Sequence, residues 1–413
     1  MPLQGLAFDD VMIVMIAAVA VPLLLGLAPS LPIPSSVVEI AAGILLGPAV
    51  LNWVADDTVV TVFSQLGVAL LLFLAGLELD FRKLRGRPLK LGLIGFVVSL
   101  VVGLALALPL GATGVIIDPL LLSIILSATS LGIVVPVLKD AGILDTHTGT
   151  FVVAACSVAE FGSIVALSIF FSPSGTSGVL AIVNLGVLVL LVGVIAYLGS
   201  RQGRWRQRID QVLLRLQDSS AQLRVRVAML LMISLLVVSE GLGFDAILGS
   251  FLAGALLSAV TDPAREDEFG QVRHKLDGIG FGFFVPIFFV ATGLSFPVDQ
   301  LFSDWSTALR VPLFLGMLLL ARGLPVLVMR RDLTPAELAP SALLQATSLS
   351  FIVVATQIGV DLGQLKPINA ASLVAAGMLS VLLFPVIALR LLDRTVPGAE
   401  RGSEPDERAV EGM

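Results

Sequence analysis

The sequence predicts an all-α polytopic membrane protein with about 13 transmembrane helices, each needing about 20 residues to cross the hydrocarbon. Composition, uninterrupted apolar runs and the placement of basic residues predict it. Of 413 residues, 57% are hydrophobic and only 14% are charged, with a mean hydropathy of +1.01. Soluble domains carry about 25% charged residues. Charge-free runs cover 11–38, 91–117, 119–138, 161–200, 278–298, 338–360 and 367–389, and apolar runs above about 18 residues mark spanning helices. A transmembrane β-barrel is excluded, because its strands need short segments of alternating polarity.

In chain order, spans are expected near 10–28, 34–51, 58–79, 89–110, 118–138, 147–171, 178–200, 222–240, 243–260, 278–294, 306–329, 335–359 and 368–392. The first follows Asp9 and Asp10. The second contains Gly43, Gly47 and Pro48, which shorten or kink it. The sixth holds one charge at its centre, Glu160, and the eleventh holds Arg322. Glu39, Glu78, Glu240, Asp245 and Glu337 lie near span ends and read as solvated or funnel-lining groups. Glu78 and Asp80 also adjoin the basic run Arg82–Lys90, so a cytoplasmic charge cluster accounts for them.

Charge placement tests this order. Of 25 Lys and Arg, 22 fall on one side, Arg310 and Lys366 on the other, and Arg322 inside a span. The positive-inside rule then puts the N-terminus outside and the C-terminus in the cytoplasm. The segment Met1–Asp10 has no Lys or Arg and does not resemble a cleaved signal peptide. Cys156 is the only cysteine, and His147 and His274 cannot build a metal site alone. No cofactor and no nucleic-acid partner are expected. No nucleophile–base pair stands out on facing spans, so the chain is not expected to be an enzyme.

The transmembrane unit is expected over 1–394, as a first half 1–200 and a second half 222–394. Between them, Trp205, Ile209, Val212, Leu213 and Leu216 recur at helical spacing, with Arg206, Arg208 and Arg215 interleaved. This reads as a linker helix at 205–220 on the cytoplasmic surface, or as an extension of a neighbouring span. Residues 395–413 read as a short disordered cytoplasmic tail.

The halves echo each other at nearly constant offset. Ala42-Gly43-Ile44-Leu45-Leu46 returns as Ala253-Gly254-Ala255-Leu256-Leu257, Ala75-Gly76-Leu77 as Thr292-Gly293-Leu294, and Ala128-Thr129-Ser130-Leu131 as Ala346-Thr347-Ser348-Leu349. The partner spans are seven apart, and an odd separation turns one half upside down. Inverted repeats are a signature of secondary transporters, whose substrate site lies at mid-membrane. The third echo places Thr129, Ser130, Thr347 and Ser348 mid-span. Such residues satisfy backbone groups freed where a helix breaks, or back-bond to the preceding turn of an unbroken one.

Glu160 is the strongest site candidate, because an intramembrane carboxylate costs several kcal/mol unless paired, hydrated or neutral. Ser157 lies three residues earlier on the same helical face. Together they offer oxygens to a hard cation such as Na⁺, and a carboxyl out of water suits reversible protonation. The alternative is a structural Glu bonded to a neighbouring helix. Arg322 either snorkels to the cytoplasmic surface or pairs inside with a carboxylate or the negative end of a broken helix.

Four stretches then point to a family. Ile40–Pro48 resembles an "AGILLGP" second helix, Leu71–Asp80 an "LLFLxGLELD" segment and Phe288–Gly293 an "FFVxxG" segment; Ala128-Thr129-Ser130 sits where the family has an unwound helix. The chain resembles, over nearly its whole length, the membrane domain of monovalent cation:proton antiporters, the sodium/hydrogen exchanger superfamily. The resemblance implies two crossed, discontinuous helices, a dimerisation domain, elevator-like alternating access, and exchange of Na⁺, K⁺ or Li⁺ for H⁺. It implies a homodimer in the lipid bilayer of a bacterial inner membrane. The candidate cation ligands are Ser157, Thr129, Ser130, Thr347 and Ser348, with proton and cation coupling expected at Glu160 and charge balance at Arg322. One departure stands out. The family's Asp-Asp or Asn-Asp pair aligns with Val158-Ala159, one residue before Glu160. A sodium-coupled symporter for an organic solute, or a channel or sensor, are the alternative readings of the same spans.

Overall fold

Caps and helix breakers divide this apolar chain into helices. The computed structural model describes residues 8–27, 34–54, 58–79, 86–144, 146–171, 178–200, 222–260, 266–301 and 305–395. The expected linker helix at 205–220 and tail at 395–413 therefore lie outside the described residues, apart from residue 395.

The first half contains α1 (Asp9–Leu27), α2 (Ser35–Leu46), α3 (Thr58–Leu77), α4 (Gly86–Ala112), α5 (Pro119–Ser127), α6 (Leu131–Asp140), α7 (His147–Phe170) and α8 (Gly178–Ser200). The second contains α9 (Leu223–Gly241), α10 (Ala246–Val260), α11 (Glu266–Ile279), a π-helical turn (Gly280–Phe284) and α12 (Val285–Leu294). Two single turns follow, α13 (Val298–Leu301) and α14 (Trp305–Ala308). The chain then forms α15 (Arg310–Gly323), a 3₁₀ stretch (Leu324–Met329), α16 (Pro335–Gln345), α17 (Ser350–Asp361) and α18 (Pro367–Thr395).

The starts are chemically specified. Asp118 caps α5 by accepting the N–H groups of Leu120 and Leu121 at 2.7 and 3.0 Å, with Pro119 at the first helical position. Thr146 caps α7 through the Gly149 N–H. Thr334 and Glu337 form a capping box on α16. The stop of α2 falls where Gly47 and Pro48 predict it.

Every expected span falls on a helix or a pair of helices. Among the described residues, eight helices are long and apolar enough to cross a membrane, and the pair α16 and α17, bent by 42°, makes a ninth. Length alone thus counts fewer crossings than the thirteen expected. Three of the four missing crossings have local causes: α2 has 12 residues and α10 has 15, and α9 carries Arg224, Arg226 and Glu240 near its ends.

The packing repeats the sequence echo. Gly43 on α2 and Gly293 on α12 meet so closely that an added Cβ would collide with the Val290 and Ile40 carbonyls respectively. Gly254 on α10 and Gly76 on α3 do the same against the Phe73 and Phe251 carbonyls. Gly43 echoes Gly254 and Gly76 echoes Gly293, so exchanging the halves turns one contact into the other. Small residues permit such backbone approach. The largest buried cluster surrounds the interrupted helices, with Ile124, Ile125, Leu126 and Ala128 on one side and Leu349, Phe351 and Ile352 on the other.

Candidate functional site

Two helices are broken where the Ser/Thr echo predicts. Between α5 and α6, Ala128 (φ −81°, ψ 159°) and Ser130 (φ −91°, ψ 98°) are extended. Between α16 and α17, Leu349 leaves helical geometry at φ −141°, ψ −58°. Each break exposes helix-end N–H and C=O groups that must find partners in a dry interior.

The breaks supply much of this to each other. The Ser130 N–H donates to the Thr347 carbonyl at 3.1 Å. Ser130 Oγ accepts the N–H groups of Leu349 and Ser350 at 2.9 and 3.2 Å, capping the start of α17. Thr129 Oγ1 donates to the Gln345 carbonyl at 2.6 Å, at the end of α16. Ser380 Oγ, on α18, accepts the Ser348 N–H at 3.1 Å. Thr347 Oγ1 back-bonds to the Leu343 carbonyl at 3.1 Å. The hydroxyls of Thr129, Ser130 and Thr347 are thus engaged by the protein, whereas Ser348 Oγ is buried without a hydrogen-bond partner.

Glu160 is 4% exposed, and its Oε2 accepts the Leu131 N–H at 3.0 Å. Leu131 opens α6, so the carboxylate sits on the positive end of a half-helix. Ser157, three residues earlier on α7, is 2% exposed. Glu160 thus meets the chain at the residue next to Ser130.

Arg322 is 1% exposed, which excludes snorkelling in this conformation. Its Nε donates to Thr129 Oγ1 at 2.8 Å and to the Gln345 carbonyl at 3.3 Å. Nη1 donates to Ser99 Oγ at 3.0 Å, and Nη2 to the Ala155 carbonyl at 3.5 Å. Glu160 is not among these partners. Of the pairings open from sequence, the negative end of a broken helix is the one found: the Gln345 carbonyl closes α16. One break therefore carries a carboxylate at a helix start, and the other a guanidinium at a helix end.

The carboxylates near span ends are not uniformly solvated. Glu39 is 5% exposed. Asp245 caps α10 through the Ile247 N–H at 3.0 Å. Glu337 accepts from Thr148 Oγ1 on α7, as well as capping its own helix. Glu78 pairs with Arg273, 195 residues away, and not with the neighbouring basic run among its described residues. Ser99, Gln345 and Ser380 were also not singled out from sequence. Ser99 and Ser380 are lone hydroxyls on long apolar helices, and only the broken-helix geometry distinguishes them.

The model of the family described as sodium/hydrogen exchanger, transmembrane, matches residues 14–393. The protein YjbQ of Bacillus subtilis (strain 168) is 30% identical over 403 residues, covering 93% of this chain and 63% of the relative. The protein GerN of Bacillus cereus, named as a Na⁺/H⁺-K⁺ antiporter, is 30% identical over 271 residues, covering 64% of this chain and 66% of the relative. The chain thus spans a little under two thirds of the length of both. Two solved structures of the sodium proton antiporter MjNhaP1 from Methanocaldococcus jannaschii match at 18% identity, with TM-scores of 0.61 and 0.65. They cover 93% and 97% of this chain and 96% and 100% of theirs. At that identity the likeness is one of fold.

Proposed function

This chain belongs to the sodium/hydrogen exchanger family, and from that premise we propose that it exchanges a monovalent cation for protons across its membrane. It is an integral membrane protein, and the transported ions are its substrates. Na⁺ is the cation we assign, with K⁺ and Li⁺ as the competitors to test. The two interrupted helices cross near the bilayer centre, in a transmembrane unit over 1–394 that works as a homodimer by alternating access. We place it in a bacterial inner membrane, with the N-terminus outside and the C-terminus in the cytoplasm.

The observation that carries this reading is the Glu160 carboxylate on the first N–H of α6. A buried carboxylate needs a counter-charge, and H⁺ and Na⁺ compete to provide it. Oxygen ligands suit a hard cation, and Ser157 and the unpartnered Ser348 Oγ are the hydroxyls we assign beside Glu160. Thr129, Ser130 and Thr347 we assign to holding the breaks together.

The same reasoning makes the cycle electroneutral, one cation for one proton. A single carboxylate carries either ion, and both loaded forms are neutral. Arg322 cannot act as a second proton carrier, because guanidinium stays charged in proteins. Its role is to neutralise the end of α16.

Everted vesicles with a fluorescent reporter of the pH gradient test the exchange, with Na⁺, K⁺, Li⁺ and an organic anion added separately. Glu160→Gln keeps an oxygen to accept the Leu131 N–H, so it should fold and lose exchange. Wild-type transport by the purified variant would reject the assignment. In proteoliposomes, once the vesicle assay shows that K⁺ is not carried, Na⁺ accumulation driven by a K⁺ diffusion potential alone would reject electroneutrality.

A further inference from the structure

Glu78 stands one residue beyond α3, and its two oxygens have unequal surroundings. Oε1 accepts from Arg273 Nη2 at 3.4 Å, a long contact. Oε2 is shut off from solvent and has no hydrogen-bond partner. The side chain is 16% exposed, against 39% for Arg273, whose Nε lies 3.9 Å from Asp277 on the next turn of α11. Arg273 is thus shared between two carboxylates and reaches water.

The Glu78 carboxylate lies beside the start of the half-helix that holds Glu160. A Cβ built on Gly132, the second residue of α6, would lie 3.5 Å from Glu78 Oε2 and 3.7 Å from Oε1. The preceding residue, Leu131, gives its N–H to Glu160. Two carboxylates, one just past the end of α3 and one on α7, therefore converge on the first turn of one half-helix. The hydroxyl of Ser163, three residues after Glu160 on the same face of α7, is fully buried and also lacks a partner. Buried polar atoms without partners are rare and call for an explanation. A hard monovalent cation supplies one, because it takes carboxylate and hydroxyl oxygens.

We propose that Glu78 is a second cation-binding carboxylate, the station through which the cation passes between the proposed cytoplasmic side and Glu160, with Arg273 as the charge that it displaces. This rests on the exchange reading above. Glu78 lies outside the exchanging pair in this scheme, because Arg273 re-engages it whenever the cation moves on. It governs how readily the cation enters, and leaves the stoichiometry to Glu160.

The test measures the Na⁺ concentration for half-maximal exchange in everted vesicles, with the maximal rate recorded separately. Glu78→Gln should raise half-saturation about tenfold, the scale of one unit charge several Å away at intermediate dielectric, while lowering the maximal rate far less. Glu78→Asp should recover part of the affinity. Arg273→Gln should lower half-saturation in the wild-type background and leave it unchanged in the Glu78→Gln background. A merely structural ion pair would instead reduce the yield of folded protein and the maximal rate, with saturation unmoved. Wild-type saturation in a well-folded Glu78→Gln variant, or the same Arg273→Gln shift in both backgrounds, would overturn the proposal alone. Absence of cation-dependent proton movement in the wild type would remove the exchange reading and this proposal with it.

Discussion

Arg322 is held by four oxygens, and none of them carries a formal charge. Its charge is offset by the carbonyl end of α16 and by two hydroxyls, a hydrogen-bonded way of burying a guanidinium. Ser130 is its counterpart on the other break, one hydroxyl serving two N–H groups. Ser130→Ala should orphan both donors. A buried unsatisfied group costs about 1–3 kcal/mol, so the variant should melt at clearly lower temperature in detergent. Ser348→Ala removes a hydroxyl without a partner and should melt like the wild type. Equal melting of both variants would refute this account of the breaks.

At the scale of elements, the glycine contacts make the sharper prediction. Gly43→Ala and Gly254→Ala each place a Cβ against a backbone carbonyl that cannot rotate away. Overpacking of this kind costs typically about 1–3 kcal/mol. Both should therefore lower folded yield by a similar amount, because they occupy equivalent positions in the two halves. Gly186→Ala on α8, with no atom within 4 Å of the added Cβ, should be neutral in the same thermal and size-exclusion measurements. The apolar helices were legible in the sequence, since they depend on local hydropathy and on breakers such as Gly47-Pro48, whereas the polar α11 was not among the expected elements. So were the two breaks, because the Ser/Thr echo repeats at matching positions. The partners across the breaks were not legible. Arg322 finds Thr129 across 193 residues and Glu78 finds Arg273 across 195, and no local spacing encodes such meetings. Glu78 is an example: among the described residues its cationic partner is Arg273 on α11, not a residue of the basic run that follows it in sequence.

For the whole molecule, the asymmetry of basic residues becomes a labelling experiment. Cys156 is fully buried, so the natural chain should take up little membrane-impermeant maleimide and needs no cysteine-free background. Lys366→Cys should label from outside intact cells, and Arg330→Cys only after the cells are opened, as both positions are exposed and the proposed orientation puts them on opposite sides. Labelling of both from one side would reverse or break the proposed orientation.

The two breaks meet much of each other's helix-end hydrogen bonding through the protein's own groups, and this has a thermodynamic consequence. The site is preorganised: the conformational entropy of shaping it is already spent during folding, and a cation does not have to supply it. Ion binding then stabilises the protein only by mass action, as RT ln(1 + [L]/Kd). Melting in choline chloride should remain a single cooperative transition, and Na⁺ should move the midpoint along that shallow logarithmic curve. A site assembled by its ion would behave otherwise, losing structure each time the ion departs. Here release leaves a folded, empty protein, and the free energy of the ion is available to redistribute conformers rather than to rebuild the site.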